Sequence, residues 1–539
     1  MLDGWTDASN RSIYAVMFCC PDFDVFLGVL DLTLKRHTAT NIRVALVDLF
    51  KKLGIPFRKA VGICTDSPST MVKFRKDLIL VDGFSWLISI PCSLHVLNNL
   101  IKDICKDEKV APVVSANSKL TSFFTSAHFW LESARSWMKE NNIKKGLTTL
   151  ARTRWYSMSQ VCLCVNSFKS FFFSAMLKSN DRGEDSPSIN HAVQDCISSR
   201  HFNLNSQLVD VIKPISDAIG RLECQESTVV DTMIEIFKIA KKIRTLPESN
   251  PFKECAILAL AKRARIFDDV TNFLILFLSP KHKAFAIAKK YSLEDLKRRM
   301  FEIAREWKWK KNEVMILNVE LSNYISNQHC FALIPTIIHD VLDFWKRMEL
   351  QAPYLARFAK LLLALRPHAA RIEGLFSSLS LIHSKARNRL HASNLVNLGR
   401  VKLVLQSQVN DLKQEYSRSD VGVQRLRKAK KKRKTDCNEY LSDDDNLFAS
   451  EENEDEDETF VVDFIENELE ELDNHEGLVG TGEDDLKFLD GLFDYLNFND
   501  DGFIHEVEEV DEDGEDVIEC ETNDDEENWD IEDLLNSSY

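Results

Sequence analysis

Hydrophobic and polar residues follow two different periods in the first fifty residues of the chain. Segments 12–20 and 25–33 are rich in β-branched and aromatic residues, and Pro21 and Asp22 lie between them. This pattern predicts an antiparallel hairpin. In segment 41–54, apolar residues recur every three or four positions and the segment closes on Gly54. That spacing predicts an amphipathic helix after the hairpin.

The next fifty residues continue the alternation of strands and helices. Segments 59–66 and 85–91 contain short apolar runs that are typical of buried strands, and the first of them ends at Asp66. Segment 92–104 has helical spacing. This order of elements predicts a mixed α/β layered core within residues 1–110.

Helical patterns dominate the middle of the chain. Amphipathic segments recur throughout residues 111–345, and a polar loop at 179–188 separates two groups of them. A further apolar stripe at helical spacing follows within residues 346–410. We therefore predict a helical insertion domain over 111–345 and C-terminal core helices over 346–410.

Charge divides the chain into a basic body and an acidic tail. Residues 436–539 contain 43 of the 84 acidic residues and one of the 68 basic residues. The tail therefore carries a formal charge of -42 and the rest of the chain +26. A basic body is compatible with nucleic acid as a partner, and an acidic block of this kind is typically disordered.

The 13 cysteines include no CxxC pair, which favours reduced thiols over a disulfide framework. No signal-peptide pattern and no apolar run of about 18 residues is present, so we expect no membrane partner. A dense basic run, 425–435, lies in the linker 411–435. It predicts nuclear localisation through an import receptor, and the alternative is a plain charged linker.

Two acids occupy positions that suit metal binding. Asp3 lies on or just before the first predicted strand and Asp66 ends a later one, and we expect both strands in one sheet. Carboxylates on neighbouring strands can hold divalent ions, and two ions about 3.5–4 Å apart promote phosphodiester cleavage. Acids at strand ends are also common as turn residues and helix caps, so spacing alone leaves both interpretations open.

Three segments in this region, 2–12, 62–71 and 90–104, resemble successive core motifs of hAT-family transposases, most closely the BED-finger subgroup of plants and fungi. The resemblance implies an RNase H-like mixed sheet split by a large all-α insertion. It also implies a DDE catalytic triad whose first two acids are Asp3 and Asp66.

The same resemblance includes a C-x-x-H motif formed by Cys92 and His95. Two ligands are too few for a structural zinc site. We therefore expect a cysteine at a helix N-terminus and a buried histidine.

Segment 354–398 resembles the hAT dimerisation region. Aligning Phe376 with the family's E-R-x-F-S motif places the third catalytic acid at Glu373, and Gly374 stands where the family usually has arginine. Arg371 is a nearby candidate for the missing charge. Glu373 lies off the apolar stripe, so it can face a site while the stripe packs on a sheet; the alternative is a surface glutamate on an amphipathic helix.

The resemblance extends to a possible DNA contact and to the metal. Segment 150–158 matches the family's T-R-W-x-S motif, which implies that Arg154 and Trp155 act on DNA and that Trp155 stacks on an unpaired base. The alternative is a core tryptophan beside a solvated arginine. Mg²⁺ or Mn²⁺ held by the Asp3, Asp66 and Glu373 carboxylates is the cofactor implied by the family.

Family members have a BED-type zinc finger and more of the first strand before the D-G-W-T motif, whereas Met1 and Leu2 precede it here. We expect a strand shortened in this way to lose ladder hydrogen bonds and to leave Asp3 on a frayed terminus. DNA cleavage would then be impaired.

The tail alternates acids with bulky hydrophobic residues, which is typical of activation segments that fold into a partner's groove. The alternative is a solvated tail that screens the basic body. Residues 497–508 loosely resemble a calcium loop, but Asn497 replaces the usual first aspartate and no paired hand follows.

The sequence therefore predicts a nuclear hAT transposase-derived protein that binds DNA and forms a dimer or higher homo-oligomer. Its ancestral activity would be metal-dependent DNA strand cleavage and transfer, and its tail would contact transcription factors. The alternative is a non-enzymatic, domesticated dimer that associates with DNA or regulates transcription.

Overall fold

The computed structural model describes residues 1–6, 12–20, 24–32, 35–80, 84–150, 156–180, 187–223, 227–286, 291–332, 340–382, 394, 396–405, 531 and 535. Most of them belong to two compact units. The first unit is formed mainly by residues 54–370, and the second by residues 2–53 together with the described residues from 371 to 405.

An antiparallel sheet forms the centre of the second unit. Strands β1 (Leu2–Thr6), β2 (Ser12–Cys19) and β3 (Asp24–Asp31) lie in the order β1-β2-β3. Strands β2 and β3 pair antiparallel, and their register shifts at a bulge between Val16 and Met17. The hairpin predicted from the sequence is confirmed.

Helix α1 (Ala39–Lys52) packs against β3. It begins after Thr38, whose hydroxyl accepts a hydrogen bond from the N–H of Asn41 at 3.3 Å and so caps the first turn. Its buried face carries apolar residues at the predicted helical spacing, among them Ile42 and Leu46. The predicted helix is confirmed, with its start and its end each two residues earlier than expected.

The first unit contains a pair of parallel strands. Strands β4 (Gly62–Thr65) and β5 (Ile88–Pro91) hydrogen-bond in parallel, with helix α2 (Ser69–Leu80) between them in the chain and helix α3 (Ser93–Lys106) after them. Both strands and helix α3 were predicted. Each strand is shorter than its apolar run, because the residues before it form turns.

Close packing requires glycine at the start of β4. A Cβ atom on Gly62 would lie 2.9 Å from the backbone oxygen of Ile88 and 2.6 Å from the side chain of Leu365. A Cβ atom does not approach another heavy atom this closely unless one of them shifts, and the backbone oxygen of Ile88 is held in the strand pair. Glycine therefore allows β4, β5 and the chain after residue 363 to approach one another.

The strands differ from prediction in how they are grouped. We expected Asp3 and Asp66 on strands of one mixed sheet, but the described strands form two sheets, one antiparallel with three strands and one parallel with two. In the described ladders, β1 pairs with β2 and β4 pairs with β5. The mixed α/β content is as predicted, while the choice of partner strand depends on long-range register that local patterns do not contain.

Every element described between residues 111 and 345 is a helix. The remaining α-helices are α4 (Ala111–Ser126), α5 (His128–Glu140), α6 (Ser157–Ser167), α7 (Lys169–Asn180), α8 (His191–Gln194), α9 (Ser199–Leu222), α10 (Val229–Arg244), α11 (Lys253–Ala264), α12 (Val270–Phe277), α13 (Lys283–Ala286), α14 (Leu293–Glu306), α15 (Lys311–Ile325), α16 (Val341–Met348), α17 (Pro353–Leu363), α18 (Ala370–Ile382) and α19 (396–405). Of the described helices, none is long and apolar enough to cross a membrane alone, and the bent pair α6 and α7 meets that test only as a pair.

Buried aromatic rings hold the helices of the first unit together. Trp345 is fully buried and donates its indole N–H to the backbone oxygen of Leu278 at 2.8 Å. Tyr324 is also fully buried and donates its hydroxyl to the backbone oxygen of Phe277 at 2.9 Å. Because each polar atom is satisfied, these large side chains contribute their full apolar burial to the core.

A buried polar network lies among α4, α6 and α9. Neutral His201 contacts the Asn117 side-chain oxygen at 3.1 Å, and the Asn117 amide donates to Asn205 at 2.7 Å. Asn205 in turn donates to the backbone oxygen of Cys162 at 2.8 Å. Both asparagines are fully buried, so the network fixes the relative positions of three helices.

This network predicts that acid destabilises the first unit. Burial lowers the pKa of His201 to about 4, against about 6.5 in an unfolded chain. Between these two values the unfolded state binds a proton that the folded state does not, so stability falls as pH drops from about 6.5 towards 4. We expect His201 to contribute a decrease of about 2–3 kcal/mol to the free energy of unfolding over this range, as measured by urea unfolding at a series of pH values.

The matched variant is His201→Gln, which keeps a hydrogen-bonding group near Asn117 but cannot be protonated. This variant should reduce the pH dependence of the free energy of unfolding between about pH 6.5 and pH 4. The slope that remains includes His282, since burial also lowers the pKa of that histidine to about 4. The same slope in both proteins would contradict the assignment to His201.

Candidate functional site

Asp3 lies within a fully paired strand. Each of the five residues of β1 has a partner on β2, and Asp3 is opposite Ala15. The half-buried carboxylate accepts a hydrogen bond from the N–H of Gly4 at 2.9 Å. The expected fraying of this strand is therefore wrong, because the ladder with β2 extends along the whole of β1.

An aromatic contact connects β1 with α18. The rings of Trp5 and Phe376 stack with their centroids 5.2 Å apart and an interplanar angle of 22°. Alternate residues of a strand share a face, so Asp3 lies on the same face of β1 as Trp5. Glu373 lies three residues, or about one turn, before Phe376 on α18. The stack therefore brings the strand of Asp3 and the helix of Glu373 together within the second unit.

Helix α18 presents its apolar stripe inward. Ile372, Leu375 and Phe376 are buried, whereas Glu373 is half-buried and Gly374 is exposed. This is the pattern predicted from the sequence, with the acid off the stripe. A Cβ atom on Gly374 would meet nothing within 4 Å, so packing does not require glycine there.

Arg371, which we considered as a substitute for the usual arginine of the motif, pairs with a different acid. It forms an ion pair with the buried carboxylate of Asp24, at the start of β3. The contact attaches the first turn of α18 to the sheet of the second unit. The charge of Arg371 is therefore already balanced within the fold.

Asp66 directly follows β4, and its backbone contacts a buried arginine, Arg75. Arg75 on α2 is 5% exposed and donates to the backbone oxygens of Asp66 at 2.6 Å and Thr65 at 3.4 Å, and also to the Thr65 hydroxyl. Burial lowers the pKa of Arg75, and the neighbouring Cys64 and Asp66 oppose this shift. The guanidinium thus fixes the backbone that carries Asp66 by satisfying its carbonyl groups.

The C-x-x-H motif follows β5 and begins α3. Cys92 is buried at the N-cap of α3, as predicted, while His95 is half-buried and so differs from the buried histidine that we expected. The N–H of Ser93 donates to the backbone oxygen of Pro367 at 2.8 Å. The N–H of Cys92 donates to Thr65 at 2.8 Å, so the chain just before α18 is connected through α3 to the end of β4.

The three acids belong to different units, with Asp66 in the first and both Asp3 and Glu373 in the second. In the part of the chain that the structure describes, no three His, Cys, Asp or Glu residues lie close enough together to hold a metal ion. Carboxylates are nevertheless the hard oxygen ligands that Mg²⁺ and Mn²⁺ prefer. The donor chemistry of the three acids therefore fits such an ion, and their convergence stays a prediction.

Several predicted sites lie outside the described residues. Among them are Arg154 and Trp155, the basic run 425–435 and the acid-rich loop 497–508. Their proposed roles in DNA contact, nuclear import and calcium binding remain predictions from the sequence.

Sequence reasoning did not identify Arg75. Its signal was present, because Arg75 follows Phe74 and lies four residues after Met71, both of which are buried on α2. A charged residue at a core-facing position is expected only if it has buried partners. The partners here are backbone oxygens at the end of β4, which no local pattern identifies.

Comparison with known protein families adds two matches. Residues 1–120 match a domain of unknown function, DUF659, and residues 320–399 match the hAT family C-terminal dimerisation region. The first match includes Asp3 and Asp66, and the second includes Glu373. A comparison with curated proteins finds no match.

Proposed function

We propose that this chain, which the two family matches support as a hAT transposase-like protein, cleaves DNA strands with Asp3, Asp66 and Glu373 as ligands of Mg²⁺ or Mn²⁺. The dimerisation match also supports self-association. The active form proposed here is a homo-oligomer that binds DNA in the nucleus.

The observation that carries this proposal is the stack between Trp5 and Phe376. It joins the strand that carries Asp3 with the helix that carries Glu373, two acids that are 370 residues apart in the chain. The two rings lie two positions after Asp3 and three positions after Glu373. Aromatic stacks of this kind add about 0.5–1.5 kcal/mol beyond apolar burial, so the contact is a stable one. A surface glutamate on an ordinary amphipathic helix would not require it.

Asp66 is connected to the same part of the chain by a different route. The hydrogen bonds from Cys92 to Thr65 and from Ser93 to Pro367 link the end of β4 with a residue six positions before Glu373. Arg75 donates a hydrogen bond to the backbone oxygen of Asp66 and so fixes its position. These contacts support the proposal that Asp66 acts with the other two acids.

In such a site each residue has a definite task. The three carboxylates would bind and orient the ion, which when bound supplies a polarised water and stabilises the leaving oxygen. Arg75 would keep the Asp66 backbone fixed without occupying the metal position, since its described bonds go to backbone oxygens and a hydroxyl. Trp5 and Phe376 act as positioning residues for Asp3 and Glu373.

The proposal is tested by incubating the full chain with supercoiled plasmid, with Mg²⁺ or with EDTA. We expect nicked circles with the metal only, and a gel shift of the plasmid under both conditions. Because the basic body contacts the DNA backbone, this shift should weaken steeply as salt increases. Binding without nicking under every metal tested would overturn the enzymatic proposal.

A second function is supported by the match to the dimerisation region. A non-enzymatic dimer that uses DNA binding and the acidic tail to regulate transcription would require no metal site. It would shift plasmid DNA as a dimer and show no nicking with any metal tested.

A further inference from the structure

Three segments of the first unit meet at the amino ends of β4 and β5. The 3₁₀ turn Phe57–Lys59 precedes β4, residues 84–86 precede β5, and residues 307–310 connect α14 to α15. The indole N–H of Trp307 donates to the backbone oxygen of Trp86 at 3.1 Å, and the indole N–H of Trp86 donates to Ala60 at 3.2 Å. These bonds fix the three segments relative to one another.

The surface that they form is aromatic. The rings of Phe57 and Phe84 stack with centroids 4.5 Å apart and an interplanar angle of 6°. The rings of Phe84 and Trp86 meet edge to face, with centroids 5.1 Å apart. All three rings and that of Trp307 are half-buried rather than enclosed. Because these rings are only partly enclosed, part of their aromatic surface can contact a ligand.

Exposed positive side chains belong to the same three segments as these rings. Arg58 lies over Trp86, 5.1 Å from the ring centre, and Lys308, Lys310 and Lys311 are exposed. Glu313, an acid beside these lysines, already forms an ion pair with a different base and accepts the backbone N–H of Lys310 at 2.8 Å. Residues 57–59, 84–86 and 307–311 together contain five basic residues and no acid, so the three segments carry net positive charge.

The backbone at Lys308 adds an independent observation. Lys308 has φ of 57°, just after the end of α14, and the next N–H bonds back to the oxygen of Ala304 at 3.0 Å. This left-handed position at a helix end strongly favours glycine, since a side chain there costs about 1 kcal/mol. Lysine at this position therefore lowers local stability and places a positive charge next to Trp307 in the chain.

We propose that this surface, formed by Phe57, Phe84, Trp86 and Trp307 with Arg58 and the lysines of 308–311, binds single-stranded DNA. Bases stack on aromatic side chains while the phosphates pair with lysine and arginine, and this combination is sequence-tolerant. The surface is distinct from the end of β4 that carries Asp66, because about 13 Å of strand separates the two ends. It would hold strand released beside a cleavage site, and in this respect it rests on the proposed function.

Two variants of the full chain separate the contributions of charge and aromatic rings. Lys308→Gln with Lys310→Gln removes two charges, and Lys241→Gln with Lys242→Gln on α10 removes two exposed charges from a helix that contributes no residue to the aromatic surface, as a control. Affinity for a fluorescein-labelled oligothymidine is measured by anisotropy across a salt series. We expect the first pair to weaken binding about fivefold and to reduce the salt slope by about 1.4, with little change in the control.

Phe84→Leu tests the rings while keeping apolar volume. It should weaken binding of the oligothymidine about fivefold or more without altering the salt slope, and leave binding to a duplex unchanged. Lys308→Gly should raise the melting temperature by about 2 °C and still weaken oligothymidine binding, a pair of opposite effects that a purely structural lysine would not show.

The outcomes distinguish the two proposals. If plasmid DNA binds but the surface variants behave like the Lys241 and Lys242 control, this inference is wrong and the proposed function stands. If the surface variants weaken oligothymidine binding while no metal-dependent nicking occurs, the surface is supported and the enzymatic proposal fails.

Discussion

Asp66→Asn is expected to abolish metal-dependent nicking and to leave DNA affinity unchanged. Replacing a carboxylate by an amide removes a negative metal ligand while keeping the shape of the side chain. The remaining acids would bind the ion weakly, and the charge on the leaving oxygen would lose its counterion. We expect the nicking rate to fall at least about 1000-fold, which corresponds to about 4 kcal/mol of transition-state stabilisation.

Glu373→Gln and Asp3→Asn should have effects of the same size, because residues that act as one unit are not additive. Asp77→Asn is the matched control, since Asp77 lies on α2 near Asp66 in sequence but is not a proposed ligand. The rates are measured on supercoiled plasmid at saturating Mg²⁺, with protein stability checked by thermal unfolding. Nicking by Asp66→Asn at the rate of Asp77→Asn would exclude Asp66 as a ligand.

Phe376→Ala is expected to loosen the second unit selectively. Phe376 is 7% exposed and stacks on Trp5, so its truncation removes apolar burial and the aromatic contact together. Such a change costs about 3–4 kcal/mol when the cavity does not collapse. Hydrogen exchange should accelerate roughly 100-fold or more at the amides of β1, with little change in the helices of the first unit.

Two variants control this prediction. Phe376→Leu keeps most of the volume and should cost about 1 kcal/mol. Phe331→Ala truncates a ring that is 1% exposed in the first unit, and should accelerate exchange in α15 and α16 rather than in β1. Unchanged protection of β1 in Phe376→Ala would show that the stack does not hold α18 on the strand.

The elements that the sequence predicted share a local cause. The hairpin of β2 and β3 and helices α1 and α3 follow from the spacing of apolar residues, which depends on neighbours within one element. The position of Glu373 off the buried face of α18 follows from the same rule. Such features need no knowledge of the rest of the chain.

The features that sequence reasoning missed depend on distant partners. Arg75 bonds to the end of β4, and Arg371 pairs with Asp24, which is almost 350 residues away in the chain. The expected single sheet likewise required a pairing between strands that local patterns do not fix. His95 was expected to be buried but is half-buried, since helical spacing predicts which face of a helix packs but not where the edge of that face lies.

The central claim, that three acids share one metal ion, is tested most directly by replacing Mg²⁺ with Fe²⁺ in the full chain. With ascorbate and peroxide, a bound Fe²⁺ generates radicals that cut the polypeptide beside it. The account predicts cuts near residues 3, 66 and 373 in one titration, all of which disappear in Asp66→Asn. Cuts near residues 3 and 373 that persist in Asp66→Asn, or cuts confined to one of the two units, would contradict it.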